Sequence, residues 1–165
     1  MDKGKKNHIK YLTYAGIIAA VYAVLTIISE PISYGVIQVR IAEALNVLPM
    51  FTGAAVPGLA VGCLAANLIG GGGIIDVIVG TASTLISALI ARKIKNKWLV
   101  PLPAVIINAV LVGAELYFVY GKTYSVYLCM LFVLAGQTVA CYGLGIPLML
   151  LLSKYSGRLF PADIR

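Results

Sequence analysis

Hydrophobic positions in this chain come in long blocks, unlike the one-face or alternating spacing of a water-soluble domain. The first block runs from about residue 11 to 28 and stops at Glu30-Pro31, where proline removes a donor and turns its predecessor away from helical torsions. Further blocks cover about 37–52, 54–70, 74–91, 98–119 and 124–152, set apart by proline, glycine or charge. A helix of about 20 apolar residues spans a bilayer, so the pattern predicts six transmembrane helices in a single domain over residues 1–165. Pro49 and Pro57 interrupt residues 37–68, which read equally as two short helices or one broken helix. The first block follows a basic stretch, as a signal peptide would. Its length of about 18 residues and the lack of a small-x-small cleavage site before Glu30 favour a retained span.

Composition agrees: 61% of the 165 residues are hydrophobic and 12% charged, which excludes an ordinary soluble globule. The net charge of +7 would suggest nucleic acid in a soluble protein, but the basic residues fall in blocks beside the apolar runs. Lys3, Lys5, Lys6 and Lys10 precede the first, Arg92, Lys93, Lys95 and Lys97 lie at the midpoint, and Lys154, Arg158 and Arg165 close the chain. Such blocks set topology by the positive-inside rule, and no nucleic-acid partner is implied. Two cytoplasmic clusters need an even number of crossings between them, so 37–52 and 54–70 count as two helices. Both termini then face the cytoplasm across the cell membrane, with Trp98 at the inner interface. Eleven of the 13 basic residues lie inside, while Arg40 and Lys122 lie outside.

Several chemistries lack material. Cys63, Cys129 and Cys141 show no CxxC spacing, so neither a disulfide framework nor a metal site is indicated. His8, the sole histidine, lies in the basic tail. No phosphate-binding loop, Ser-His-Asp set or His-Glu-x-x-His pair is present, so the chain reads as no enzyme and carries no cofactor or ATPase of its own.

An ionisable group in a span costs several kcal/mol unless paired or hydrated, so each one asks for a reason. On the six-helix topology Glu30, Arg40, Glu43, Asp76 and Glu115 all fall in the outer half, and the inner half is almost uniformly aliphatic. That pattern predicts a pocket open to the outside and not a pore. Arg40 and Glu43 are three apart and either pair with each other or meet a ligand. Asn46 continues their face. Asp76 follows the glycines 70–73 and either caps the next helix or faces the pocket. Glu30 reads as a boundary residue. Glu115 has no basic residue within a helical turn, and Asn108 lies two turns below it on the same face. Asn67 and Gln137 are further amides in apolar helices, able to knit helices together or to bind a polar ligand. Tyr117, Tyr120, Tyr124 and Tyr127 form an interfacial belt or offer a stacking ring. Acids outnumber the one arginine, which suits a planar, hydrogen-bonding ligand that is neutral or cationic. Small residues also recur every four positions, at Ala54, Gly58, Gly62 and Ala66 and at Ala15, Ala19 and Ala23, giving smooth faces for internal packing or for another membrane protein.

The six-helix layout, the alanine stripe on the first helix and the outward pocket resemble the substrate-binding S component of energy-coupling factor (ECF) transporters. More specifically, the string VRIAEALNVLP from Val39 to Pro49, then Pro57-Gly58, Ala66-Asn67-Leu68, Asp76 after its glycines, and Asn108 through Gly113-Ala114-Glu115-Leu116 resemble the queuosine-precursor transporter family. The resemblance implies an S-component-like bundle that captures a 7-deazaguanine such as the aminomethyl form. It also implies a membrane-embedded coupling subunit, docked on Ala15, Ala19 and Ala23, and two cytoplasmic ATPase subunits that use the ATP. Glu115 would accept the N–H edge of the ring and Asp76 or Glu43 would meet the aminomethyl cation. Asn67, Asn108 and Gln137 would fix the rest of the polar edge, beside Arg40, with a tyrosine such as Tyr117 stacked on the ring. A cationic vitamin such as thiamine, a self-powered secondary transporter and a membrane scaffold remain the alternatives.

Overall fold

The computed structural model describes residues 3–33, 38–70, 73–119 and 123–160, and among them every element is helical. They are α1 (Lys3–Ile28), α2 (Glu30–Ser33), a 3-10 helix (Ile41–Met50), α3 (Ala55–Gly70), α4 (Gly73–Ala91), α5 (Leu102–Val119), α6 (Val126–Thr138), a π-helical turn (Val139–Leu144) and α7 (Gly145–Leu159). Four stretches are long and apolar enough to cross a bilayer: Asn7–Ile28, Gly73–Ala91, Leu102–Val119 and Val126–Leu159. Lys122, Tyr120 and Arg165, read above as exterior, belt and cytoplasmic residues, lie outside the described residues.

The boundaries at 54–70 and 74–91 are close to the observed ones, and the others move for identifiable reasons. α1 starts at Lys3, eight residues before the apolar block, because the basic stretch holds no proline and its lysines are good helix formers. Glu30-Pro31 ends α1 as expected but then opens the short α2, since proline is tolerated in a helix's first turn. The block expected as a helix over 37–52 is a ten-residue 3-10 helix with Pro49 inside it, eight of its residues buried within the protein. Hydropathy reports burial from water and does not distinguish lipid from protein. The fifth helix begins at Leu102 and not at 98, after a turn at 98–101 that includes Pro101. The last block is one apolar stretch broken by the π turn, and it runs past 152 to Leu159.

Packing is inverted relative to a soluble protein. The buried face of α4 is Asp76, Gly80, Ser83, Thr84, Ser87, Ala88 and Ala91, while Ile74, Ile75, Ile78, Ile86 and Ile90 are exposed. Lipid accepts the isoleucines, and association relies on close approach through small side chains. α1 and α3 show the same rule: a Cβ on Gly58 would lie 2.8 Å from the Ala15 carbonyl oxygen, and one on Gly62 would lie 2.7 Å from that of Ala19. Residue numbers rise together along this contact, so the two helices run parallel and the 3-10 helix brings the chain back between them. Its start meets Tyr22, and Phe51, just past its end, stacks on Phe160 at 5.6 Å, which in turn meets Tyr14. Tyr11 donates to the Gly53 carbonyl at 3.0 Å, and the Arg92 guanidinium lies against Gly53. The basic start of α1, Arg92 and the end of α7 therefore share one end of the bundle. α4 and α5 are antiparallel, fixed by Ser83 donating to Asn108 at 2.6 Å and Ser87 to the Pro103 carbonyl at 3.4 Å.

A buried layer of acids and amides

Towards the opposite end the bundle holds a polar layer in two tiers. The inner tier centres on Glu43, 1% exposed and presented by the first turn of the 3-10 helix. Tyr22 donates its hydroxyl to Oε1. Asn46 and Asn108 donate to Oε2 at 2.6 and 3.3 Å. Asn108 in turn accepts from Ser83. Residues of α1, the 3-10 helix, α4 and α5 are thus tied to one carboxylate, whose burial is compensated by three donors.

The outer tier follows from the α4–α5 register. Asp76 stands seven residues before Ser83 and Glu115 seven after Asn108, so two helical turns carry the antiparallel pair to an opposing pair of acids. They are 9% and 6% exposed. Asp76 Oδ2 and Glu115 Oε2 have no hydrogen-bond partner among the described residues. Arg40, 5% exposed, reaches back to Cys63 at 3.7 Å, and a Cβ on Gly80 would lie 3.9 Å from its Nη1 and 3.7 Å from Asp76 Oδ1. Asn67 donates to the Asp76 carbonyl at 3.0 Å. It would be only 2.7 Å from that same Cβ, so glycine at 80 makes the room in which Arg40, Asn67 and Asp76 meet. A cleft of about 270 Å³ between the end of α3 and the start of α4 opens beside Asn67. Gly73, which lines it, has φ of 89°, a torsion that glycine adopts without strain.

The chain from residue 12 to residue 154 matches the family model described as QueT transporter. The chain belongs to the QueT transporter family. With four apolar helices of membrane-spanning length among the described residues, it is a multi-pass membrane protein. A curated relative, "Queuosine precursor transporter QueT" of Lactococcus lactis subsp. cremoris (strain MG1363), is 36% identical over 84 residues, 50% of this chain and 49% of the relative. The match therefore spans about half the length of that relative. No solved structure matches the chain.

All members of the two tiers lie within the stretch matched to the QueT family. Among the residues singled out from sequence, Arg40, Glu43, Asn67, Asp76, Asn108 and Glu115 are brought together. Gln137 is buried beside them, accepting from Cys141, whose thiol also reaches the Glu43 carbonyl. Tyr117 stands apart: two residues beyond Glu115 it points to the other side of α5, half-buried on the cluster of Val112, Leu116, Cys129 and Val133, with Phe118 edge-on at 5.2 Å. Glu30 is exposed. Ala15 is buried against Gly58, Ala19 and Ala23 are partly buried, and Ala15 and Ala19 also line an open apolar groove of about 300 Å³ with Gly16. Tyr22, Gly80, Ser83 and Ser87 were not singled out. Residues 80, 83 and 87 continue from Asp76 at helical spacing as a small polar stripe in an aliphatic helix, a signal the sequence does carry. They also extend polarity deeper than the aliphatic inner half predicts, though the Ser83 and Ser87 hydroxyls are bonded internally.

Proposed function

We propose that this chain is the substrate-capture S component of an ECF-type importer, and that its ligand is a queuosine precursor of the 7-deazaguanine class bearing an aminomethyl group. The observation that carries the reading is the pair of buried carboxylate oxygens on Asp76 and Glu115 that have no hydrogen-bond partner among the described residues. An unmet buried acceptor costs about 1–3 kcal/mol, and a ligand rich in N–H donors recovers that cost. Three carboxylates against one guanidinium in the layer favour a cation over an anion. The printed name of the Lactococcus relative points to the same ligand class.

In this reading Glu115 accepts the N–H edge of the ring, Asp76 meets the ammonium, and Asn67 and Arg40 fix the remaining polar edge. Glu43 positions the site from below through Asn108 and Tyr22, with Gln137 closing the layer. Six crossings with both termini cytoplasmic are supported by the basic ends of the chain and Arg92 sharing one end of the bundle, away from the acids. The site then opens to the outside of the cell membrane. A coupling subunit docks on the α1 groove at Ala15 and Ala19, beside Ala23, and two cytoplasmic ATPase subunits supply the energy.

The test is thermal stabilisation of purified protein by aminomethyl-deazaguanine, guanine, thiamine and other vitamins, since a ligand that binds the folded state raises its melting temperature by mass action. Stabilisation by the deazaguanine is expected. A response to thiamine and to no deazapurine would overturn the ligand. Ion-driven uptake by the chain alone in liposomes would overturn the S-component role.

A further inference from the structure

A second site lies at the other end of the bundle, between α4 and α5. There Ile90, Ile94, Leu99, Leu102 and Ile106 line an entirely apolar groove of about 360 Å³. It runs inward from the connecting segment along the first turns of α5, about 6 Å from Leu102 to Ile106 at the helical rise. Four of these five side chains are 40–48% exposed. Beside it Lys93, Lys95 and Lys97 of the connecting segment are all exposed, and no acid occurs between Asp76 and Glu115. The segment is held in shape. Lys93 N–H bonds to Ile90 and Ile94 N–H to Ala91 at 3.0 and 3.1 Å, Ile94 packs on the core around Val47 and Met149, and Trp98 N–H bonds to the Asn96 side chain at 3.1 Å. Lys97 lies 5.5 Å over the ring of Trp98, a residue suited to the headgroup level.

We propose that this groove binds one anionic phospholipid, with its phosphate held by Lys93, Lys95 and Lys97 and an acyl chain lying along Ile90 and Ile106. Charge complementarity selects this occupant. Exposed basic side chains beside the groove and hydrocarbon within it match the two parts of a lipid in their order. The site is fixed in the folded chain and independent of the ligand layer.

Native mass spectrometry of the detergent-purified chain with phosphatidylglycerol and phosphatidylcholine of matched acyl chains tests it. The wild type should retain one phosphatidylglycerol with about tenfold preference over phosphatidylcholine, on the scale of a few lysine–headgroup contacts. Lys93→Gln/Lys95→Gln/Lys97→Gln should abolish the preference, Ile106→Trp should reduce retention of both lipids, and Lys5→Gln/Lys10→Gln should change neither. The proposal is overturned if the triple variant keeps the preference, if the N-terminal variant loses it, or if Ile106→Trp retains lipid as the wild type does. A chain dimer that Ile106→Trp disperses, without a lipid adduct, would overturn it in favour of a second copy.

Discussion

Replacing Glu115 by glutamine separates a ligand contact from a structural one when set against the same change at Glu43. Glu115 is 6% exposed and its Oε2 has no hydrogen-bond partner among the described residues, so Glu115→Gln removes a charge while breaking no hydrogen bond described there. The ligand's N–H donors lose a charge-assisted acceptor, on the order of 1.5–3 kcal/mol. At 1.4 kcal/mol per tenfold, affinity should fall by about 10- to 150-fold. Glu43 is the opposite case. Its carboxylate accepts from Tyr22, Asn46 and Asn108, and the Glu43→Gln amide presents its own N–H groups to some of those donors. Losing one or two such bonds in a buried site should cost about 2–4 kcal/mol of stability. The assay is calorimetric titration with aminomethyl-deazaguanine beside a thermal melt without ligand. Glu115→Gln should weaken binding and leave the melt within a degree or two of wild type, roughly what a change near 0.5 kcal/mol produces. Glu43→Gln should lower the melt first. Wild-type affinity in folded Glu115→Gln would refute the assignment.

Three further outcomes follow from the packing. Gly80→Val should abolish ligand binding with the fold retained, because a Cβ there would lie 2.7 Å from the Asn67 amide nitrogen; unchanged affinity would remove Gly80 from the site. Gly62→Leu should destabilise by about 1–3 kcal/mol in a detergent melt, since its Cβ meets the Ala19 carbonyl at 2.7 Å and that backbone cannot rotate aside. Gly16→Leu meets nothing within 4 Å of its Cβ and fills the α1 groove, so it should leave ligand affinity intact while weakening co-purification with the coupling subunit proposed above.

Much of this molecule was legible in the residues because the bilayer makes polar groups costly. Asp76, Asn108 and Glu115 stood out against aliphatic helices, and seven-residue steps from Ser83 and Asn108 place the two acids opposite each other. The stretch 37–52, expected as one helix, forms its helix over Ile41–Met50 and is buried in protein, which hydropathy cannot tell from a helix facing lipid; Arg40, Glu43, Asn46 and Pro49 within it mark the difference. Tyr117 follows Glu115 by two residues, which turns it to the other side of α5, an angle that its place among interfacial tyrosines does not show. Gly80 was invisible, since its importance is the volume it leaves to residues far away in sequence.

The most direct measurement of the central claim pairs two ligands with two proteins: aminomethyl-deazaguanine and its uncharged cyano analogue, titrated into wild type and Asp76→Asn. If opposed acids in the buried layer receive a cationic ligand, wild type binds the aminomethyl form about tenfold or more tightly than the cyano form, and Asp76→Asn erases that difference. A preference of the same size in both proteins would contradict the account.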